Sequence, residues 1–253
     1  MPRRRGPIAD VLDLLLPACC AACQDPGSVL CADCARGWRP WPERCEQDAG
    51  RLDLMDGRPP LPVWAQAIYQ GAVRRTVLAW KDQGRAELSA WFAARTRAAA
   101  GALAHAGSGT GEGSGPTLVI PVPPSAAGRR RRGEDLLLPL ARAAAEGLTA
   151  AHHPAVTHMV LRARASRRHQ VGLGRRGRGA NLAGRLRIRT GTLPAAPHRI
   201  LLIDDVLTTG ATLAACRAVL DAAGHTVCGA LVLAATPART HRCARVESDA
   251  APG

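Results

Sequence analysis

Ile200-Leu-Leu-Ile-Asp204-Asp205-Val-Leu-Thr208-Thr209-Gly210-Ala211-Thr212 is the stretch from which the rest of the chain can be read. Four bulky apolar residues in a row suit a strand buried on both faces. The run then ends in two adjacent carboxylates, passes through a short Thr- and Gly-containing loop, and starts a helix over residues 210–223. Backbone N–H groups at such a helix start, Ala211 included, can cradle a phosphate together with the hydroxyls of Thr208, Thr209 and Thr212. Gly210 lets the backbone approach closely. The carboxylates of Asp204 and Asp205 cannot bind phosphate; they suit the vicinal hydroxyls of a ribose, or a magnesium ion bridging sugar and diphosphate. An Asp-rich strand end with a capping Thr accounts for either half alone. Both halves in one run describe a ribose 5-phosphate ligand.

Working outward, strands alternate with helices. Residues 117–122, 155–161, 199–203 and 226–234 read as strands, and residues 134–150 and 210–223 as helices. Strands separated by helices indicate βαβ crossovers, so the fold class is α/β, with a mostly parallel open sheet flanked by helices. In such sheets ligands bind beyond the carboxyl ends of the strands. Pro121, the segment 162–178 and Asp204 would all lie there. Upstream, residues 63–70 suit a short strand, and residues 73–82 a helix broken by Gly84. Residues 87–105 resume as an Ala-rich helix before the Gly/Ser loop 107–115. Residues 38–62, rich in Pro, Gly and charge, read as a linker. The expected organisation is a small metal-binding module over 1–45, a linker and helical hood over 46–116, the α/β domain over 117–236, and a loose tail over 237–253.

Nine cysteines fall into two populations. Cys20-Ala-Ala-Cys23 and Cys31-Ala-Asp-Cys34 are paired knuckles, each able to aim two thiolates at one ion, and together they complete a tetrahedral site suited to Zn2+. The neighbouring Cys19 is an alternative to Cys20, although Cys20 gives the two-residue gap. An odd cysteine total without a secretion signal argues against a disulfide framework. A closed four-thiolate site is structural, and it would hold together about thirty residues that lack a core of their own. Cys216 and Cys228, in an expected helix and strand, read as small packed hydrophobes.

The 253 residues carry a net charge of +14 and a sequence pI of about 10.9. Such a balance suits a polyanionic partner: nucleic acid, a phosphorylated substrate, or both. The charge is unevenly placed, since residues 147–203 contain no Asp or Glu while residues 162–189 contain ten arginines. An apolar fraction of 47% is enough for a core, but aromatics are only 3%, so aliphatic residues must fill it. Lys81, Asn181 and Tyr69 are each the sole residue of their type. The apolar stretch near the N-terminus is interrupted by Asp10 and Asp13 and stopped by Pro17. No run approaches the ~20 apolar residues of a membrane span. A soluble, cytoplasmic protein without membrane insertion is expected.

The run 200–212 resembles the PRPP-binding motif of type I phosphoribosyltransferases. The chain as a whole resembles the ComF family, which joins an N-terminal cysteine zinc finger to that fold. Besides the motif and the CxxC pair, the resemblance rests on Tyr69-Gln-Gly71-Ala-Val-Arg74 leading to Lys81, and on Val119-Ile-Pro121-Val-Pro123 with Arg132-Gly133. Gln170, Arg178 and Asn181 complete it. It implies that Asp204 and Asp205 hold the ribose hydroxyls and that Thr208, Thr209, Gly210, Ala211 and Thr212 hold the 5′-phosphate. Pro121, Pro123 and Ser125 would line the loop facing pyrophosphate, with Lys81 and Arg132 supplying positive charge. Two departures stand out: Glu134 and Asp135 replace the family's usual Phe and Asn, and Cys45 alone stands where a second cysteine pair often follows.

Two classes of function follow. As an enzyme, the protein would displace pyrophosphate from magnesium-bound PRPP, with Asp204, Asp205 and Lys81 at the reacting centre. As a competence-associated module linked to DNA uptake, it would keep the fold and bind single-stranded DNA through its arginines. Against the second, residues 162–189 offer no aromatic side chain for base stacking.

Overall fold

The computed structural model describes residues 18–53, 57–106, 115–124, 135–163, 186–189, 191–195 and 198–237. In chain order the elements are a short helix α1 (Ala32–Ala35), β1 (Trp38–Arg44), β2 (Val63–Ala67), α2 (Gly71–Asp82), α3 (Leu88–His105), β3 (Thr117–Pro121), α4 (Leu137–Ala150), β4 (Ala155–Thr157), β5 (Leu161–Ala163), β6 (Leu186–Ile188), β7 (Arg199–Leu207), α5 (Ala211–Asp221) and β8 (Thr226–Ala235). The fold is mixed α/β, with a mostly parallel sheet flanked by helices and a four-cysteine cluster near the N-terminus.

Six strands form the main sheet in the order β1-β2-β8-β7-β3-β4. Only β1 runs antiparallel to its neighbour. The central strands are apolar without alternation: Ile200, Leu201, Leu202 and Ile203 of β7 are all buried, as are Leu231, Val232 and Leu233 of β8. A parallel strand covered on both faces requires that composition. From the β7/β3 pair the chain departs in opposite directions, through α5 to β8 and through α4 to β4. The carboxyl ends of β7 and β3 therefore flank a topological switch point, where open α/β sheets bind their ligands.

With so few aromatics, helix packing depends on small residues. On α3, Ala99 and Ala100 are buried, and on α4, Ala141 and Ala144. At Gly147 of α4 an added Cβ would meet the carbonyl of Arg97 on α3, so the two helices approach backbone to backbone there. Four of the seven aromatics are gathered: Trp38 packs 5.3 Å from Phe92 and 5.1 Å from Trp91, and Trp80 lies 4.9 Å from Phe92.

Two sequence expectations need correction. The stretch 38–62 is not simply a linker. Its first residues form β1, whose Pro40 and Pro42 are tolerated because an edge strand leaves N–H positions unpaired. Trp38 anchors that strand in the aromatic cluster, and Ala49, Leu52 and Leu61 farther along are buried. The expected single strand over 155–161 is instead two. The three residues of β4 pair with β3; the chain then leaves the sheet, and β5 pairs antiparallel with β6 as a separate ribbon. Val160, between them, is fully buried, and its carbonyl accepts from the Arg189 N–H. The apolar and β-branched residues of 155–161 suit a strand, but they do not say which partner each part of it will have.

Replacing Gly147 with valine must push α3 and α4 apart. We expect a loss of about 3 kcal/mol, read as a fall in melting temperature of about 5–10 °C, whereas an exposed α4 substitution such as Arg142→Ala changes little. An unchanged melting temperature for Gly147→Val would refute this close approach.

Candidate functional site

The end of β7 brings the predicted carboxylates together with the only lysine. Lys81, in the last turn of α2, forms an ion pair through Nζ with Asp205 Oδ2. Burial alone would lower the Lys81 pKa, but Asp205, Asp204 and Asp82 outweigh it and hold the ammonium above its ordinary range. Asp204 behaves differently. Burial and the adjacent Asp205 charge push its carboxyl up to about 7; the hydrogen bond from the Asp205 N–H and the nearby Lys81 only partly oppose this. Two carboxylates side by side, one paired and one pushed towards neutrality, are the expected outcome when like charges share a site. Tyr69 stands close enough to Lys81 and Asp205 for both to act on its phenol, which burial raises.

The loop after β7 is shaped for close approach. Gly210 adopts φ +78°, the left-handed region that favours glycine, and it caps α5 without a side chain. Thr209 Oγ1 accepts from the Ala211 N–H at 3.4 Å, and Thr208 and Thr209 are exposed. The opening turn of α5 thus presents its N–H groups and positive dipole end beside two hydroxyls, an arrangement that holds an anion. Thr236 ties the loop down from β8, donating its N–H to the Leu207 carbonyl at 2.9 Å. On the other side of the crevice, Pro121 is in register with Ile203, and the Val122 N–H donates to the Ile203 carbonyl at 2.9 Å. Pro123, half-buried, follows directly.

A support that sequence reasoning missed lies beneath this loop. A Cβ at Gly210 would collide with Leu52 and come within 3.3 Å of the Ala49 Cβ, and the Arg51 N–H donates to the Thr209 carbonyl at 3.1 Å. Ala49 and Leu52 are apolar islands in a Pro- and Gly-rich stretch, which was the one available signal; their partner could not be read from it. Asp135, expected to bring negative charge near a diphosphate, accepts a hydrogen bond from the Leu137 N–H at 3.1 Å and so caps α4. Arg132, Ser125, Gly133, Glu134, Gln170, Arg178 and Asn181 lie outside the described residues.

The N-terminal knuckles converge as well. The sulfurs of Cys20, Cys23, Cys31 and Cys34 all lie within 4.8 Å of one another, and Cys23 and Cys31 are 3.6 Å apart. A tetrahedral zinc with Zn–S of about 2.3 Å places its sulfurs about 3.8 Å apart, so the cluster could hold such an ion. The cluster contains Cys20 and not Cys19. Burial would raise the Cys20 thiol, yet the N–H groups of Cys31, Cys23 and Ala22 bring it down to about 6. Cys45 is buried apart from this group with its Sγ 3.4 Å from the Val63 carbonyl. Cys216 is a buried thiol in α5, and Cys228 lies half-buried in β8.

No family model and no curated protein matches the chain. Among solved structures it is similar to an orotate phosphoribosyltransferase from Aeropyrum pernix, at 18% identity over 72% of this chain and 71% of that one, with a TM-score of 0.29. A superposition that loose assigns no residue, so the roles of the side chains rest on their own geometry. Among the described residues no helix is long and apolar enough to cross a membrane.

A carboxyl raised in the folded state contributes stability that is fully present below its unfolded pKa and is lost as pH rises through the folded value. For Asp204 that window runs from the ordinary carboxylate range to about pH 7. Asp204→Asn removes the effect. Its melting temperature should gain on wild type by roughly 5 °C between pH 5 and pH 8.5. A difference that stays flat with pH would mean that Asp204 is not buried against a like charge.

Proposed function

We propose that the chain is a phosphoribosyltransferase-like protein that binds a ribose 5-phosphate ligand, PRPP with magnesium, at the carboxyl end of β7. The observation carrying this proposal is the sequence of groups along one strand–loop–helix. Paired carboxylates are backed by Lys81, and a glycine-capped helix start with exposed threonines follows. A diol clamp and an anion cradle in tandem match the two ends of a ribose 5-phosphate. Asp204 and Asp205 offer the hard oxygen donors that magnesium takes, so the donor chemistry fits that ion. Bound there, it would neutralise charge on the diphosphate.

In group transfer, the bond from C1 to the pyrophosphate oxygen breaks while a nucleophile forms a new bond to C1, and pyrophosphate departs with the electron pair. Asp204 and Asp205 would fix the ribose hydroxyls, and residues 208–212 would fix the 5′-phosphate, so that C1 is held in one orientation. Lys81 would meet the negative charge growing on the departing pyrophosphate. Pro121 and Pro123 would border the diphosphate side of the crevice, joined by Arg132. The ComF-type assignment, with its tie to competence and DNA uptake, is the finer form of the proposal and rests on the residue pattern of the whole chain.

Magnesium-PRPP should raise the melting temperature of wild type, and Asp204→Asn/Asp205→Asn should bind it at least 10-fold more weakly, a difference of about 1.4 kcal/mol or more. Equal affinities would sink the site assignment. Pyrophosphate release in the presence of a panel of nucleobases then separates an enzyme from a binding module. Because Asp204 is neutral at acid pH, binding should strengthen from pH 6 to pH 8 with release of protons, measurable by calorimetry in buffers of different ionisation enthalpy.

We also assign a structural zinc ion to Cys20, Cys23, Cys31 and Cys34. The purified chain should carry one zinc; Cys20→Ser should lose it and Cys19→Ser keep it. Chelation should unfold the N-terminal module while the α/β sheet stays folded. Loss of the whole fold on chelation would contradict this.

A further inference from the structure

One element, α2, touches both the four-cysteine cluster and the β7 carboxylates. Ala72 of α2 packs on the small separate core formed by Cys20, Ala22 and Cys34. In the middle of the helix, Arg75 donates from Nε to the Ala22 carbonyl at 2.7 Å, inside the first knuckle. Just past the helix end, Arg85 donates from Nη2 to the Cys19 carbonyl at 2.7 Å. Between these two anchors lies Lys81, whose ammonium reaches Asp205. Gly37, which follows the second knuckle, sits so close to α2 that an added Cβ would lie 2.9 Å from Val73 Cγ2.

Both anchored carbonyls belong to residues adjacent to cysteines of the cluster. Their positions are therefore only as firm as the knuckle that carries them. The separate core around the cysteines is small, with Cys20, Ala22 and Cys34 as its buried residues, while Ala21 joins the main core; bound metal would therefore add to what fixes the knuckle backbone. Beyond these contacts α2 is held by buried Val77 and Trp80, the latter donating from Nε1 to Ser89 Oγ at 2.8 Å. Loosening the knuckle should thus leave α2 docked but release its C-terminal end, where Lys81 sits.

We propose that Arg75 and Arg85 are positioning residues that clamp α2 to the four-cysteine module and so set Lys81 against Asp205, making the diphosphate side of the ligand site depend on metal occupancy of the module. The ligand part rests on the ribose 5-phosphate assignment above; the clamp itself does not. The clamp predicts a split. Pyrophosphate and PRPP should feel its loss through Lys81, while ribose 5-phosphate, held by residues 208–212 and the carboxylates, should not.

The test uses the full chain in three forms: zinc-loaded wild type, chelator-treated wild type, and zinc-loaded Arg75→Ala/Arg85→Ala. Hydrogen exchange followed by mass spectrometry should show faster exchange over residues 78–85 in the second and third forms, with β7 and β8 unchanged. Unchanged exchange over 78–85 overturns the clamp, whatever the ligand does. By calorimetry, magnesium-PRPP should bind the double variant about 3- to 10-fold more weakly and ribose 5-phosphate less than 2-fold more weakly. Arg75→Lys, which retains a donor for the Ala22 carbonyl, should recover part of the loss.

In a Lys81→Met background the arginine substitutions should cost no further PRPP affinity; fully additive losses overturn the role assigned to Lys81. If zinc-loaded wild type binds neither ligand, the ribose-phosphate assignment fails, while faster exchange over 78–85 still supports the clamp.

Discussion

Two carboxylates held side by side at the end of a buried parallel strand are the constraint around which the rest of the site is arranged. Neither side chain is free to move away, because β7 is locked between β3 and β8. The molecule relieves the repulsion unequally: Lys81 neutralises Asp205, and Asp204 drifts towards the protonated form. A site left in that condition is primed for a cation or for hydroxyl groups, since either would relieve what the protein alone has not. The repulsion sits at the switch point of the sheet, where open α/β sheets bind their ligands.

The second constraint is steric. Gly210 must be a glycine both for its backbone conformation and because Leu52 occupies the space a side chain would need. Segment 49–52 therefore works as a floor under the loop that follows β7, and the Arg51 N–H donates to the Thr209 carbonyl there. Cys45, outside the four-cysteine group, is buried with its Sγ 3.4 Å from the Val63 carbonyl. The cysteine cluster is a compact four-sulfur unit that touches α2 through Ala72.

The residues that meet at the end of β7, and the four clustered cysteines, stand out in the sequence. Asp204 and Asp205 at a strand end, the glycine before a helix, and the doubled CxxC are local patterns, and local patterns survive in sequence because a few adjacent residues carry both the geometry and the chemistry. Lys81 was legible for a different reason: it is the only lysine in a chain whose cations are otherwise arginine. The helices α2, α3, α4 and α5 were legible from composition and from Gly84 and Gly210 as breaks. What failed was partnership. The stretch 38–62 carries Pro and Gly in quantity, so nothing local announced that its start would become an edge strand or that Leu52 would meet Gly210.

The sequence by itself determined the class of fold, the residue types offered at the end of β7 and the doubled CxxC pattern, because each depends on residue type and short spacing. Tertiary structure alone decided the order of strands, the capping role of Asp135, and the bridge from the cysteine module through Arg75, α2 and Lys81 to Asp205. The physical reason is distance along the chain. Arg75 lies 53 residues from Ala22, and Lys81 is farther still from Asp205. Contacts of that kind are set by how a whole sheet closes its core, which no local pattern encodes.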